Sequence, residues 1–180
     1  MRESSKAALC GIISSLAIVI MLSTYLSPFL VYTAPAFSGL LLLLILNELG
    51  CKWAAATYLT VSLISVFIIA DKEAAVFYTM FFGFYPILCF ILNKKVANKV
   101  IRTVIKFCSF NVSCLISFAI CMFVLALDMS DIIGDGMLFT AVFAVLMNIL
   151  FFVYDMLITR LQQLYIKKLQ KKFRKLFNIR

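Results

Sequence analysis

The sequence predicts an all-α membrane protein of six transmembrane helices, with both termini in the cytoplasm and a basic amphipathic helix at the C-terminus. Three observations predict it. The 180-residue chain is 64% apolar with a mean hydropathy of +1.08, against roughly half apolar for soluble domains. No charge occurs between Lys6 and Glu48, from Trp53 to Ala70, from Ala74 to Asn93, from Phe107 to Leu127, or from Gly136 to Tyr154. When these gaps are taken as crossings, sixteen of the seventeen Lys and Arg fall on one side with three acids, leaving one base and five acids on the other. Lys and Arg are enriched in cytoplasmic loops and set the orientation of membrane proteins. The net charge of +9 is therefore read as topology, and nucleic acid is not expected as a partner.

Each span follows from length. A helix needs about 20 apolar residues to cross about 30 Å of hydrocarbon. The first span is Ala7–Leu26, directed outward. The charge-free gap that contains it is 41 residues long, about 60 Å as helix, so it holds two crossings, with Pro28 and Pro35 marking the turn. The second span then runs from about Ala36 to Leu49, short enough to require tilt or flanking residues. The third is Trp53–Ala70, with Trp53 suited to an interfacial anchor, and the fourth is Ala74–Leu92. The fifth is Val104–Leu127 and the sixth runs from Met137 to about Thr159. Asn93–Lys106 is basic enough to suggest an interfacial helical turn. A five-span reading would leave the eight bases after Tyr154 outside, and is rejected.

Residues 1–160 thus form the transmembrane domain and 161–180 a cytoplasmic basic amphipathic helix. In that tail Leu161, Tyr165, Leu169, Phe173 and Leu176 recur at helical spacing. Lys167, Lys168, Lys171, Lys172, Arg174 and Lys175 occupy the other face, positioned for anionic lipid. The first apolar run is about 20 residues, longer than the 7–15 of a signal peptide, so it is expected to be retained.

Composition also excludes chemistry. There is no histidine, and the six cysteines form no CxxC pair, which argues against metal sites, disulfide frameworks and the HExxH proteases. No hydrolase elbow, Walker loop, catalytic carboxylate pair or dinucleotide fingerprint is present. The chain is expected to be neither an enzyme nor an ATP-driven motor, and no cofactor is implied.

Polar groups inside spans are costly and each asks for a reason. Glu48, four residues before Lys52, and Asp155, five before Arg160, read as ion-paired or water-facing interfacial acids near the cytoplasmic helix ends, ahead of any proton relay. Asn111 and Asn148 read as interhelical glue, with Asn148 also a candidate substrate contact. Ala7, Gly11 and Ser15, at i, i+4 and i+8, would let a second helix approach closely, either within the bundle or from another subunit. Phe77 and Tyr78 offer an apolar ring wall in the outer half of the fourth span. Lys72 is the one base on the outer side, a natural partner for an anionic group. Asp128, Asp131 and Asp135 read as solvated loop acids.

Six short spans and a small-residue first helix resemble the substrate-binding S component of energy-coupling factor transporters, in an uncharacterised clostridial-type branch. The stretches that carry the resemblance are Lys6 to Ser15, Ala34 to Leu40, Asn47 to Gly50, and Asp71 to Tyr78 continuing from Phe82 to Leu88. The resemblance implies a vitamin-like or other small-molecule ligand taken up from outside, and a transmembrane coupling subunit with ATPases as partners. It implies that the coupling subunit meets Ala7, Gly11 and Ser15, where Gly and Ser replace the family's Ala. It places the protein in the bacterial cell membrane. The expected substrate-binding residues are Tyr32, Lys72, Phe77, Tyr78 and Asn148. The rival expectation is a non-transporting scaffold or regulatory membrane protein whose tail senses anionic lipid. A stand-alone secondary carrier would want an acid at mid-membrane for ion coupling, and the sequence places Glu48 and Asp155 near the inner ends.

Overall fold

The computed structural model describes residues 3–27, 29–123 and 137–165, and these contain helix and no strand. Helix α1 spans Glu3–Leu22 and tightens into a 3₁₀ turn over Ser23–Leu26. Then come α2 (Leu30–Glu48), α3 (Cys51–Ile68), α4 (Lys72–Phe77), a π turn (Tyr78–Phe82), α5 (Phe84–Lys95), α6 (Lys99–Phe123) and α7 (Met137–Leu164). Counting Lys72–Lys95 as one, six helices among the described residues are long and apolar enough to cross a membrane.

The second span departs from expectation. It begins at Leu30 rather than Ala36 and contains Pro35, so it is 19 residues long and needs no tilt to reach across about 28 Å. Pro35 costs only the hydrogen bond to the carbonyl of Val31, one turn from the helix start, and spanning helices tolerate such prolines. Gly50, at φ +87°, reverses the chain between α2 and α3, a backbone state that side chains resist. The Asn93–Lys106 segment forms no separate interfacial turn: α5 runs to Lys95 and α6 starts at Lys99. Helix α7 continues past Thr159 to Leu164. The proposed lipid-binding residues Lys167, Lys168, Lys171, Lys172, Arg174 and Lys175, and the loop acids Asp128, Asp131 and Asp135, lie outside the described residues.

Register fixes the internal directions. Tyr32 of α2 lies against Phe77, Gly39 against Phe82 and Tyr154, and Glu48 against Tyr165. The second, fourth and sixth spans therefore run the same way, as alternation requires. Burial is deepest on the fourth span and α2, and shallowest on α6 and α7.

The π turn has a local cause and a tertiary remedy. The Gly83 N–H donates to the Tyr78 carbonyl at 2.8 Å, an i→i−5 bond that bypasses the Thr79 carbonyl. Pro86, which has no N–H, offers nothing to the Phe82 carbonyl four residues earlier. Hydrocarbon cannot solvate either oxygen. The Tyr58 hydroxyl of α3 donates to Thr79 O at 2.6 Å, and the Tyr154 hydroxyl of α7 donates to Phe82 O at 3.2 Å. Two tyrosines from flanking helices thus replace two backbone donors. Tyr58→Phe is expected to lower stability by about 1 kcal/mol, read by unfolding in detergent micelles, with Tyr154→Phe somewhat less costly because its bond is longer.

Candidate ligand cleft and buried ion pair

The residues expected at the outer site do not all meet. Tyr32, near the start of α2, places its ring edge-on to Phe77, with centroids 5.3 Å apart, and Phe77 is edge-on to Phe118 of α6 at 6.0 Å. Lys72 is engaged elsewhere: its ammonium donates to the carbonyls of Val66 and Ile69, each at 2.9 Å. It caps the C-terminus of α3, where a cation meets unpaired carbonyls and the negative end of the helix dipole. Tyr78 is fully buried beside Tyr58, and its hydroxyl approaches Ser38 without reaching hydrogen-bond geometry. Asn148 donates from its amide to the Ala144 carbonyl of its own helix at 2.8 Å, and its buried Oδ1 has no partner among the described residues.

Tyr32 opens instead onto a cleft of about 220 Å³ between α2 and α7. Tyr32, Ala36 and Leu40 recur at i, i+4 and i+8 along one wall, and Leu150, Tyr154 and Leu157 form the other. No charged residue lines it among the described residues. Its surface is almost wholly apolar: among its lining residues Thr33 donates to Phe29 O at 3.2 Å and Tyr154 to Phe82 O. Sequence reasoning found Tyr32 but missed Leu150, Tyr154 and Leu157, whose apolar stripe on α7 reads as lipid-facing when the neighbouring helix is unknown.

The small residues of α1 face away from the bundle. Helix α1 packs inward through Leu9, Ile13, Ala17 and Met21, while Ala7, Gly11 and Ser15 are exposed. Together with Trp53, Thr57 and Thr60 of α3 they line a groove of about 440 Å³. A methyl group added at Gly11 would meet nothing within 4 Å. Among the described residues, no helix of the bundle packs over Ala7, Gly11 and Ser15.

The buried charges pair differently from the sequence-based expectation. Asp155 is matched not with Arg160 but with Lys106 of α6, Nζ to Oδ1 at 2.7 Å. The Tyr85 hydroxyl of α5 donates to the same oxygen at 2.7 Å, and the Cys89 thiol lies 3.7 Å from it. Three helices are thus tied at one atom. Lys106 is 5% exposed, which its place in a basic band did not suggest. Tyr85 and Cys89, one turn apart, were the available signal. Glu48 accepts a hydrogen bond from Tyr165 at 3.0 Å, tying the C-terminal end of α2 to the residue that follows α7.

No protein-family model, curated protein or solved structure matches the chain.

Proposed function

We propose that this chain is the membrane-embedded capture subunit of a small-molecule uptake system, energised by a separate coupling subunit and ATPases, with both termini cytoplasmic. The observation that carries this reading is the cleft between α2 and α7, an almost wholly apolar recess with no charge among the described residues that line it, in a bundle whose sequence holds no motor. Capture sites in helical membrane proteins form between helices, with few polar groups to fix orientation. The outward small-residue groove of α1 and α3 supports the second half of the reading. Without a hydrophobic drive between helices in lipid, close backbone approach over small residues is the principal way to hold a partner span. A scaffold without transport would have use for the groove but none for the cleft.

The test exploits the open space at Gly11. A Cβ at Gly11 meets nothing within 4 Å, so Gly11→Leu puts its bulk into the open groove rather than into the packed core, and the purified protein is expected to keep its unfolding midpoint. Association with a coupling subunit, read by co-purification from native membranes, is expected to be lost. Retained association in this variant, or no coupling partner with the wild type, overturns the reading. A tag after Arg180 is expected to be protected from protease added outside intact cells, and its cleavage would overturn the orientation.

A further inference from the structure

We propose that the hydroxyls of Ser38, Ser62 and Tyr78 form a hydration site inside the bundle, holding one water molecule that ties α2, α3 and the fourth span together. The site is independent of the α2–α7 cleft and of the capture reading. Its carriers are orphaned polar atoms. Ser38 on α2 and Tyr78 at the start of the π turn are 0% exposed, and Ser62 on α3 is 6% exposed. Among the described residues, none of their side-chain oxygens has a hydrogen-bond partner. Ser38 lies near the middle of α2 and Ser62 past the middle of α3, at a depth where hydrocarbon supplies no alternative partner. A buried hydroxyl in that condition is costly. Three of them on three packed helices call for a common remedy.

Glycine brings them together. Two tyrosine rings meet over Gly83 of the fourth span, where a Cβ would lie 2.6 Å from Tyr58 Cδ2 and 3.0 Å from Tyr78 Cζ. The ring centroids are 6.3 Å apart. The Tyr78 hydroxyl lies beside Ser38 of α2, out of hydrogen-bond geometry. The Tyr58 hydroxyl has Ser62, one turn further along α3, beside it. Gly39, next to Ser38, is held against the Phe82 carbonyl, which seats Ser38 at the level of Gly83. Ser38 thus borders the meeting point of the rings through Tyr78, and Ser62 borders it through Tyr58.

Hydrogen-bond chemistry selects water. A hydroxyl has one donor and two acceptor lone pairs. Tyr58 has given its proton to Thr79 O and can only accept, whereas Ser38, Ser62 and Tyr78 keep both roles. A buried water typically makes about three hydrogen bonds, which matches three orphans on three helices. A cation would want carboxylates or several carbonyl oxygens, and the groups that meet here are hydroxyls. The three are closed off from the outside, which suits a resident water and not an exchanging solute.

The experiment uses the full chain, isotope-labelled, in lipid bilayers under magic-angle spinning, with magnetisation carried from water to protein. Signals of Ser38, Ser62 and Tyr78 are expected to build up faster than those of Leu42 and Val61, neighbours on the same helices that are 1% and 0% exposed. Ser38→Ala is expected to slow the build-up at Ser62 and Tyr78 to the rate of Leu42 and Val61, since one water serves all three. Unfolding in detergent micelles is the second measurement, on Ser38→Ala, Ser62→Ala and the double variant. Each serine variant deletes one oxygen and favours helix, so all three proteins are expected to fold. A shared water couples the two serines by about fivefold in the unfolding equilibrium constant. In a dry arrangement the side chains rotate so that Ser38 bonds Tyr78 and Ser62 bonds Tyr58, and the two serine effects simply multiply. Such multiplication overturns the proposal. So does build-up at the three hydroxyl residues no faster than at Leu42 and Val61, or build-up at Ser62 and Tyr78 that Ser38→Ala leaves unchanged.

Discussion

Asp155→Leu is expected to destabilise the bundle by about 3–5 kcal/mol, the largest effect of any single substitution argued from these contacts. Lys106 is 5% exposed and would be left with an unanswered charge beside the Tyr85 hydroxyl and the Cys89 thiol that share its carboxylate partner. Removing one partner of a buried pair costs far more than the pair contributes, because the orphan keeps its desolvation penalty and loses its compensation. The reverse substitution, Lys106→Met, is expected to cost less. Its orphan, Asp155, has a side chain that is 28% exposed and keeps the Tyr85 O–H bond at 2.7 Å. The double variant Asp155→Leu with Lys106→Met removes both charges and leaves only neutral groups, the Tyr85 hydroxyl and the weakly donating Cys89 thiol, to satisfy, so most of the stability should return. Unfolding titrations of the four proteins in mixed micelles give the coupling between the sites directly. A double variant as unstable as Asp155→Leu alone would refute the account, since it would show that packing rather than orphaned charge sets the cost.

The spans were legible because their cause is one-dimensional. Hydrocarbon excludes charge, so charge-free windows mark helices, and the windows between Lys6 and Tyr154 recover all six. The errors arose where a local rule met a remedy from elsewhere in the chain. Pro35 read as a helix break, yet the span absorbs it, since one missing hydrogen bond near a helix start is a small loss. The π turn at Tyr78–Phe82 was invisible for a related reason. It depends on Tyr58 and Tyr154 being close enough to satisfy two carbonyls, and neither proximity is encoded in spacing. Site residues fared less well than spans. Asp155 was paired with Arg160 by nearness in sequence, whereas its partner Lys106 comes from another helix. Lys72 was assigned to a ligand because it stands alone on the outer side, but the end of α3 has the stronger local claim on it. The small residues of α1 announced close approach without saying to what, because spacing shows which residues share a face and not where that face points.

Gly39→Ala is expected to be the most damaging change of a single methyl group. A Cβ at this position would overlap the Phe82 carbonyl oxygen and lie 2.7 Å from the Tyr154 hydroxyl and 2.9 Å from the Phe82 carbonyl carbon. Two of these are backbone atoms, and the third is held by the hydrogen bond that stands in for the donor missing at Pro86. None can yield alone, so α2 must move away from the π turn, and overpacking of this kind costs about 1–3 kcal/mol. Helix propensity acts in the opposite direction, since Ala is better than Gly by about 1 kcal/mol in a helix interior. The net loss for Gly39→Ala is therefore at most about 2 kcal/mol, and Gly39→Val should abolish a monodisperse product. Gly11→Ala supplies the control. Its new methyl meets nothing within 4 Å, so only the propensity term acts, and the variant should be equal to or more stable than wild type. If the two alanine variants shift the unfolding midpoint in the same direction, the close approach of α2 to the fourth span is not what Gly39 provides. If they diverge as expected, the same contact explains why α7 joins there. Tyr154 reaches the Phe82 carbonyl only because nothing larger than a hydrogen stands at residue 39, and that reach sets the wall of the cleft that Tyr154 lines.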